Sequence, residues 1–136
     1  MAKTKIICDT DILIDYWDTS NPRHTRTKEI LENHIGLNNV VLSAITKMEL
    51  LLGATNKADL NQLNKKLLRF NIALINNDIT LTAFDLLRTY NLSHGLKIPD
   101  CIIASTVIIT NLELFTYNIK DFTFIRKLKL YSDQTH

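Results

Sequence analysis

Four short runs of mostly β-branched and apolar residues, Ile6-Ile7-Cys8, Val40-Val41-Leu42, Ile72-Ala73-Leu74-Ile75 and Leu112-Glu113-Leu114-Phe115, are spaced along the chain with helical patterns between them. Runs of this length read as buried strands. Strands that alternate with helices predict a parallel sheet, right-handed crossovers and helices on both faces. The expected architecture is a single three-layer α/β/α domain with a central parallel sheet of four to five strands, the fifth a short edge strand at Leu128-Lys129-Leu130-Tyr131. A chain of 136 residues holds one such domain, here over 1–132, with a tail at 133–136 expected to fray.

Prolines and glycines punctuate the helices, because proline suits a first turn and glycine suits an end. From Pro22 a helix is expected to carry Ile30, Leu31 and Ile35 inward and stop at Gly36. Ser43 should cap a helix from Ala44 to Leu52 that Gly53 closes. Asp59 to Arg69 presents a seam of Leu60, Leu63 and Leu67, with Lys65, Lys66 and Arg69 mostly on the other sides. Asn77 or Asp78 should cap a longer helix offering Leu81, Phe84, Leu87 and Tyr90 to one face and ending near His94-Gly95. The last helix, opened by Ile98-Pro99-Asp100 and running through Cys101 to Ile109, is apolar nearly all round and is expected to be central.

The carboxylates fall at telling places. Asp9-Thr10-Asp11 follows the first strand, at the end of a parallel sheet where ligands bind. Glu49 lies on a stripe with Ile45 and Leu52, so it either reaches solvent at the stripe's edge or needs something positive nearby, since an unpaired buried carboxylate is costly. Asp100 stands in the first turn of the last helix, where the helix dipole alone would repay it by about 0.3–1 kcal/mol. Asp121 comes just after the fourth strand. The predicted topology brings Asp9, Glu49, Asp100 and Asp121 to one edge. Like charges persist together only if their pKa values rise or a cation neutralises them, and an all-oxygen set favours Mg²⁺ or Mn²⁺ over Zn²⁺.

Competing chemistries find little support. None of the four histidines pairs at metal-ligand spacing, and the two cysteines, Cys8 and Cys101, sit inside apolar elements as reduced, buried thiols. Three glycines are too few for a phosphate-cradling loop. The longest charge-free run, Cys101 to Leu112, is broken by Ser105, Thr106, Thr110 and Asn111 and cannot span a bilayer. The N-terminal apolar run stops at Asp9, short of a signal-peptide core, so a cytoplasmic location is expected. The net charge is +2; acids sequestered around metal would leave the rest of the surface more basic than that figure, as suits a polyanionic partner.

The segments Cys8-Asp9-Thr10-Asp11-Ile12-Leu13-Ile14, Leu42-Ser43-Ala44-Ile45-Thr46-Lys47-Met48-Glu49-Leu50-Leu51-Leu52-Gly53, Ile98-Pro99-Asp100-Cys101-Ile102-Ile103-Ala104 and Thr116-Tyr117-Asn118-Ile119-Lys120-Asp121-Phe122 resemble the four sequence blocks of PIN-domain nucleases. In length and block spacing the resemblance is greatest to the VapC-like toxins of type II toxin–antitoxin pairs, and it covers essentially the whole chain. It implies an Mg²⁺- or Mn²⁺-dependent endoribonuclease in which one or two ions polarise a phosphoryl oxygen and lower the pKa of an attacking water. Carried over, Asp9 and Asp100 would be the principal metal ligands, and Glu49 and Asp121 would complete the catalytic acids. Thr10 and Thr116 would support them, and Asn118 would hold the last loop near the phosphate. Relatives place the fourth acid at either the Asn118 or the Asp121 position. Asp11 stands where relatives often have Asn or Ser and is left outside the primary set. The resemblance also implies an RNA substrate, an antitoxin whose C-terminal segment covers the acidic groove, and a homodimer. The leucine seam is a candidate for either interface, beside ordinary core packing. Lys47, Lys120, Arg126 and Lys127, close in sequence to the acidic blocks, are candidates for flanking phosphates.

Two alternatives stay open on the sequence. Asp9-Thr10-Asp11 also imitates the nucleophile and acid/base pair of haloacid-dehalogenase-like phosphatases, although Leu13 replaces a small residue and no paired acids follow the final strand. A non-catalytic PIN-like binding module is the other, with the intact acids counting against it.

Overall fold

A computed structural model describes residues 4–133. Its sheet has four parallel strands, β1 (Ile6–Cys8), β2 (Val40–Ser43), β3 (Asn71–Ala73) and β4 (Glu113–Phe115), in the order β3-β2-β1-β4. β1 is thus central, flanked by β2 and β4, with Ile7 opposite Val41 on one side and Leu114 on the other. The expected fifth strand reduces to one parallel bridge between Leu114 and Leu130. Only Leu114 is engaged there, donating to Lys129 O and accepting from Tyr131 N, so the pairing does not propagate into a ladder.

Successive strand residues point to opposite faces, and each face has its own core. Ile6, Cys8, Val40, Leu42 and Phe115 pack on one side with Ile12 and Leu13 of α1 (Thr10–Trp17) and Leu31 and Ile35 of the segment after α2 (His24–Glu29). Leu50 of α3 (Ala44–Leu52) and Leu67 of α4 (Lys57–Leu67) complete that layer. Ile7, Val41 and Leu114 pack on the other side against α5 (Asn77–His94) and α6 (Ile98–Thr110). The result is the expected α/β/α sandwich. Ile7, Leu42 and Leu114 are fully buried, each worth about 1.5–3 kcal/mol of transfer free energy.

Local chemistry adjusts several boundaries. The second helix begins at His24 rather than Pro22, because the Asn21 side chain accepts from Arg23 N at 2.8 Å and holds Pro22 in a turn. It widens into π-helical turns over Ile30–Ile35 and ends at Gly36, whose φ of 90° excludes most other residues. Asn56 caps α4 and Asn76 caps α5, each by accepting a backbone N–H three residues on. Gly95, with φ 69°, closes α5.

Two inward faces differ from those expected. In α5 Ile79, Ala83 and Leu86 are buried and the expected Leu87 and Tyr90 pack partly buried against the second core, whereas Leu81 and Phe84 are 59% and 50% exposed. In α3 Ala44, Thr46 and Leu50 face inward, while Met48 and Leu52 are exposed. Helix α6 is central as expected; the hydroxyls of Ser105 and Thr106 each donate to the carbonyl four residues back, which lets the helix bury these polar residues. The leucine seam of α4 leans on the first core through Leu63 and Leu67. Cys8 and Cys101 are buried and unpaired with each other. Asp133, at the start of the stretch expected to fray, is held by His34 at 3.0 Å and Tyr131 at 3.3 Å; 134–136 lie outside the described residues. No helix among the described residues is long and apolar enough to cross a membrane.

Candidate active site

Asp9 is where the central strand becomes a helix. Its backbone N–H donates to Phe115 O at 2.9 Å, the last link between β1 and β4, and its extended backbone lets Oδ1 cap α1 by accepting from Thr10 N at 2.7 Å. Asp is among the strongest N-cap residues, so the same side chain starts the helix and aims a carboxylate at the sheet's rim. Its other oxygen accepts the Thr116 hydroxyl at 2.8 Å, and Thr116 Oγ1 in turn accepts from Asn118 N at 3.0 Å. The ends of β1 and β4 are thereby tied through one 6%-exposed carboxylate.

Thr10 reaches the other way. Its hydroxyl donates to Glu49 Oε1 at 2.7 Å and lies 3.1 Å from the Thr46 hydroxyl, so α1 sets the position of the α3 carboxylate. Glu49 is half-buried and bonds to a hydroxyl, an arrangement between the two that the helical phase allowed. Asp11, one residue on, accepts from Tyr117 N at 3.0 Å, while its Oδ1 is buried with no hydrogen-bond partner. The loop after β4 is braced further by Tyr117, whose hydroxyl meets Thr27 at 2.6 Å and whose ring lies 4.5 Å below the Arg23 guanidinium. Arg23 also pairs at 2.8 Å with the buried Asp15.

The electrostatics show which acids share a neighbourhood. Burial pushes Asp100 up to about 6, and the charges of Asp9, Asp121 and Glu49 push the same way against a smaller opposing pull from Lys97. Asp9 is also raised, by burial first and then by Glu49 and Asp121, against the hydrogen bonds from Thr116 and Thr10. Asp11 is pushed up to about 7 by burial and by Asp9. Asp9 and Asp100 are therefore within Coulombic reach of each other and of both Glu49 and Asp121, although among the described residues no three acids, histidines or cysteines are drawn into a ready-made cage for an ion. Among the described residues no lysine, arginine or histidine forms an ion pair with any of the four. Oxygen donors carrying excess negative charge fit a hard divalent cation, which would offset both the burial and the neighbouring charges that raise Asp9 and Asp100.

Two hollows adjoin the acids. One, of about 130 Å³, is lined by Asp100 and Asp121 together with Lys97, Lys120, His94 and Phe124. The other, of about 610 Å³, runs from Glu49 along Ile14, Trp17, Leu50 and Leu63. Of the basic residues singled out by sequence proximity, Lys120 lies in the acid-lined hollow, whereas Lys47 lines a separate depression beside α4 and Arg126 and Lys127 line one beside α5. Sequence reasoning missed Thr46, Lys97, His94 and Phe124. Thr46 sits one turn before Glu49 and its position was available as a clue; the others meet the site only through the fold.

The sequence matches the family model of the PIN domain over residues 6–127. The chain belongs to the PIN-domain family. No protein of curated function matches it by sequence. Solved structures do. A chain of a toxin–antitoxin complex from Klebsiella pneumoniae is 31% identical, with a TM-score of 0.73 over 95% of this chain and 100% of that one. A chain of VapBC2 from Rickettsia felis, solved bound to a DNA fragment from the promoter, is 28% identical with a TM-score of 0.70, over 94% and 98% of the two chains. VapC20 of Mycobacterium tuberculosis, a sarcin-ricin loop cleaving toxin, is 14% identical with a TM-score of 0.65 over 83% and 88%, and shares the fold. Membership of the PIN-domain family displaces the haloacid-dehalogenase-like alternative.

Proposed function

We propose that this PIN-domain protein is a divalent-metal-dependent endoribonuclease and the toxin of a toxin–antitoxin pair. The observation that carries the reading is the gathering of Asp9 and Asp100, near Glu49 and Asp121, at the end of the parallel sheet, with none of the four ion-paired with a described basic side chain. Asp9 and Asp100 would hold Mg²⁺ or Mn²⁺, with Glu49 and Asp121 completing the acidic set. A divalent ion in such a site supplies Lewis-acid polarisation of a phosphoryl oxygen and a lowered pKa for the attacking water.

The chain's own contribution is positioning. Asp9 is fixed at both oxygens by Thr10 N and the Thr116 hydroxyl, so little reorganisation is needed to present it. Thr10 holds Glu49 towards the same rim. Thr116 and Asp11 together anchor the Thr116–Asn118 loop, from which Asn118 would face an RNA phosphate. Lys120 and Lys97 flank the acids with positive charge suited to neighbouring phosphates.

An antitoxin partner suits the groove that leads away from Glu49, where half-exposed Ile14, Trp17 and Leu63 offer apolar anchors beside the acids. A second copy of the chain would cover Leu81 and Phe84 of α5. The structural neighbours from Klebsiella pneumoniae and Rickettsia felis are toxin–antitoxin complexes, which supports the partner. The decisive experiment mixes purified protein with single-stranded RNA and Mg²⁺ or Mn²⁺, beside Asp9→Asn. Cleavage by the wild type alone is expected; cleavage undiminished in Asp9→Asn, or none with either ion, would overturn the proposal.

A further inference from the structure

The hollow beside Asp100 and Asp121 has one wall that the acids do not explain. His94, the last residue of α5, stacks on Phe124 with ring centroids 4.3 Å apart and planes 8° from parallel. Tyr90, one turn earlier, meets Phe124 edge-on at 5.3 Å and His94 at 5.9 Å, and its hydroxyl accepts from Arg126 N at 3.4 Å. Ser93 lies 2.7 Å from His94 Nδ1 and fixes the imidazole further. The rings are therefore held in a set orientation, yet His94 is exposed, and the core beneath is already closed by Leu96, which is 2% exposed. Core packing accounts for part of Phe124 and not for the imidazole laid flat upon it.

The remaining lining is Lys97 and Lys120, both exposed, beside the two acids. Two ammonium groups, a planar aromatic face and an edge formed by candidate metal ligands match the parts of one nucleotide: phosphate, base and the phosphate to be cut. The volume of about 130 Å³ has room for a single ring system, well short of the roughly 300 Å³ at which pockets begin to enclose a whole small ligand. We infer that the hollow walled by His94 and Phe124 is a nucleobase subsite, which stacks the base next to the scissile phosphate of single-stranded RNA while Lys97 and Lys120 hold its backbone. The inference rests on the nuclease reading for its substrate. Stacking on an aromatic face tolerates any base, so the subsite selects for unpaired RNA rather than for a sequence.

The test separates binding from chemistry. Asp9→Asn protein is titrated with short single-stranded RNAs that carry a fluorescent adenine analogue at successive positions, in the Asp9→Asn background alone and combined with His94→Ala, Phe124→Ala or His94→Phe. One labelled position is expected to be quenched on binding. His94→Ala and Phe124→Ala should abolish that quenching and weaken binding roughly five- to hundred-fold, the range of a lost base–aromatic stack, while His94→Phe restores both. His94 is exposed, so its alanine variant retains the core even if Phe124→Ala does not fold. Quenching at no position, quenching indifferent to His94→Ala, or equal displacement by inorganic polyphosphate would overturn the subsite, even if the wild type cleaves RNA. Absence of cleavage by the wild type with quenching intact would instead count against the nuclease reading alone.

Discussion

Replacing Asp100 by asparagine should make the fold more stable at alkaline pH, and the size of the gain follows from the burial of the carboxyl and the acids around it. Burial and the charges of Asp9, Asp121 and Glu49 raise the carboxyl from the ordinary 3.8 to about 6, so the ionised form is disfavoured in the folded state. That rise corresponds to about 3 kcal/mol of differential interaction. The side chain is only half-buried, and solvent screening brings the expected effect to about 1–1.5 kcal/mol. For an acid with a raised folded pKa, the penalty is fully present above that value and disappears as pH falls through about 6 towards 4. Asparagine carries no charge at either end of the window.

Urea denaturation in the presence of a chelator, at about pH 8 and about pH 4, therefore measures the effect as a change in the gap between variant and wild type. Costs of the substitution that do not depend on ionisation, such as altered packing around the side chain, cancel between the two pH values. Asp100→Asn should gain about 1–1.5 kcal/mol on the wild type in going from the acid to the alkaline condition, or about 3–5 °C in Tm for a domain of this size. A gap that stays constant, or moves the other way, would refute the claim that burial and the neighbouring acids disfavour the ionised Asp100 in the folded chain.

Other consequences are as specific. Thr116→Val should cost about 1–3 kcal/mol in urea denaturation, because it leaves an oxygen of the buried Asp9 unpaired. It also removes a hydrogen bond that lowers Asp9, so the acid limb of the pH–rate profile should move to higher pH. Arg23→Ala should lower stability by about 1–2 kcal/mol, less than the loss of a fully enclosed ion pair because Arg23 is half-exposed, and thermal unfolding would register it. Lys120→Ala should flatten the salt dependence of RNA binding while Lys47→Ala leaves the slope unchanged, as titrations at several ionic strengths would show.

What could be read from the sequence was local. Ser43 caps the helix that follows it, as its place before Ala44 implies, and the alternation of strands with helices is enough to fix a parallel three-layer sheet; that Asp9 also caps its helix shows only in the structure. The facing of α5 was legible only at Leu87 and Tyr90, because apolar residues at Leu81 and Phe84 extend beyond the buried stripe of Ile79, Ala83 and Leu86 and shift its apparent phase. Glu49 was ambiguous for a related reason: helical phase places the side chain on a face, but only the Thr10 hydroxyl, 39 residues away in sequence, says what it meets there. The stacking of His94 on Phe124 likewise joins two segments that carry no common signal in the chain. The strand expected at Leu128-Lys129-Leu130-Tyr131 has the right composition, and fails because a single β4 residue is left to pair with it.

Uptake of a divalent ion by the acids at the sheet's rim can be measured outright, by titration with Mn²⁺ followed by calorimetry. Saturable binding to the wild type, lost or greatly weakened in both Asp9→Asn and Asp100→Asn while each variant stays folded, is the predicted result. No binding to the wild type, or binding that survives both substitutions unchanged, would contradict it.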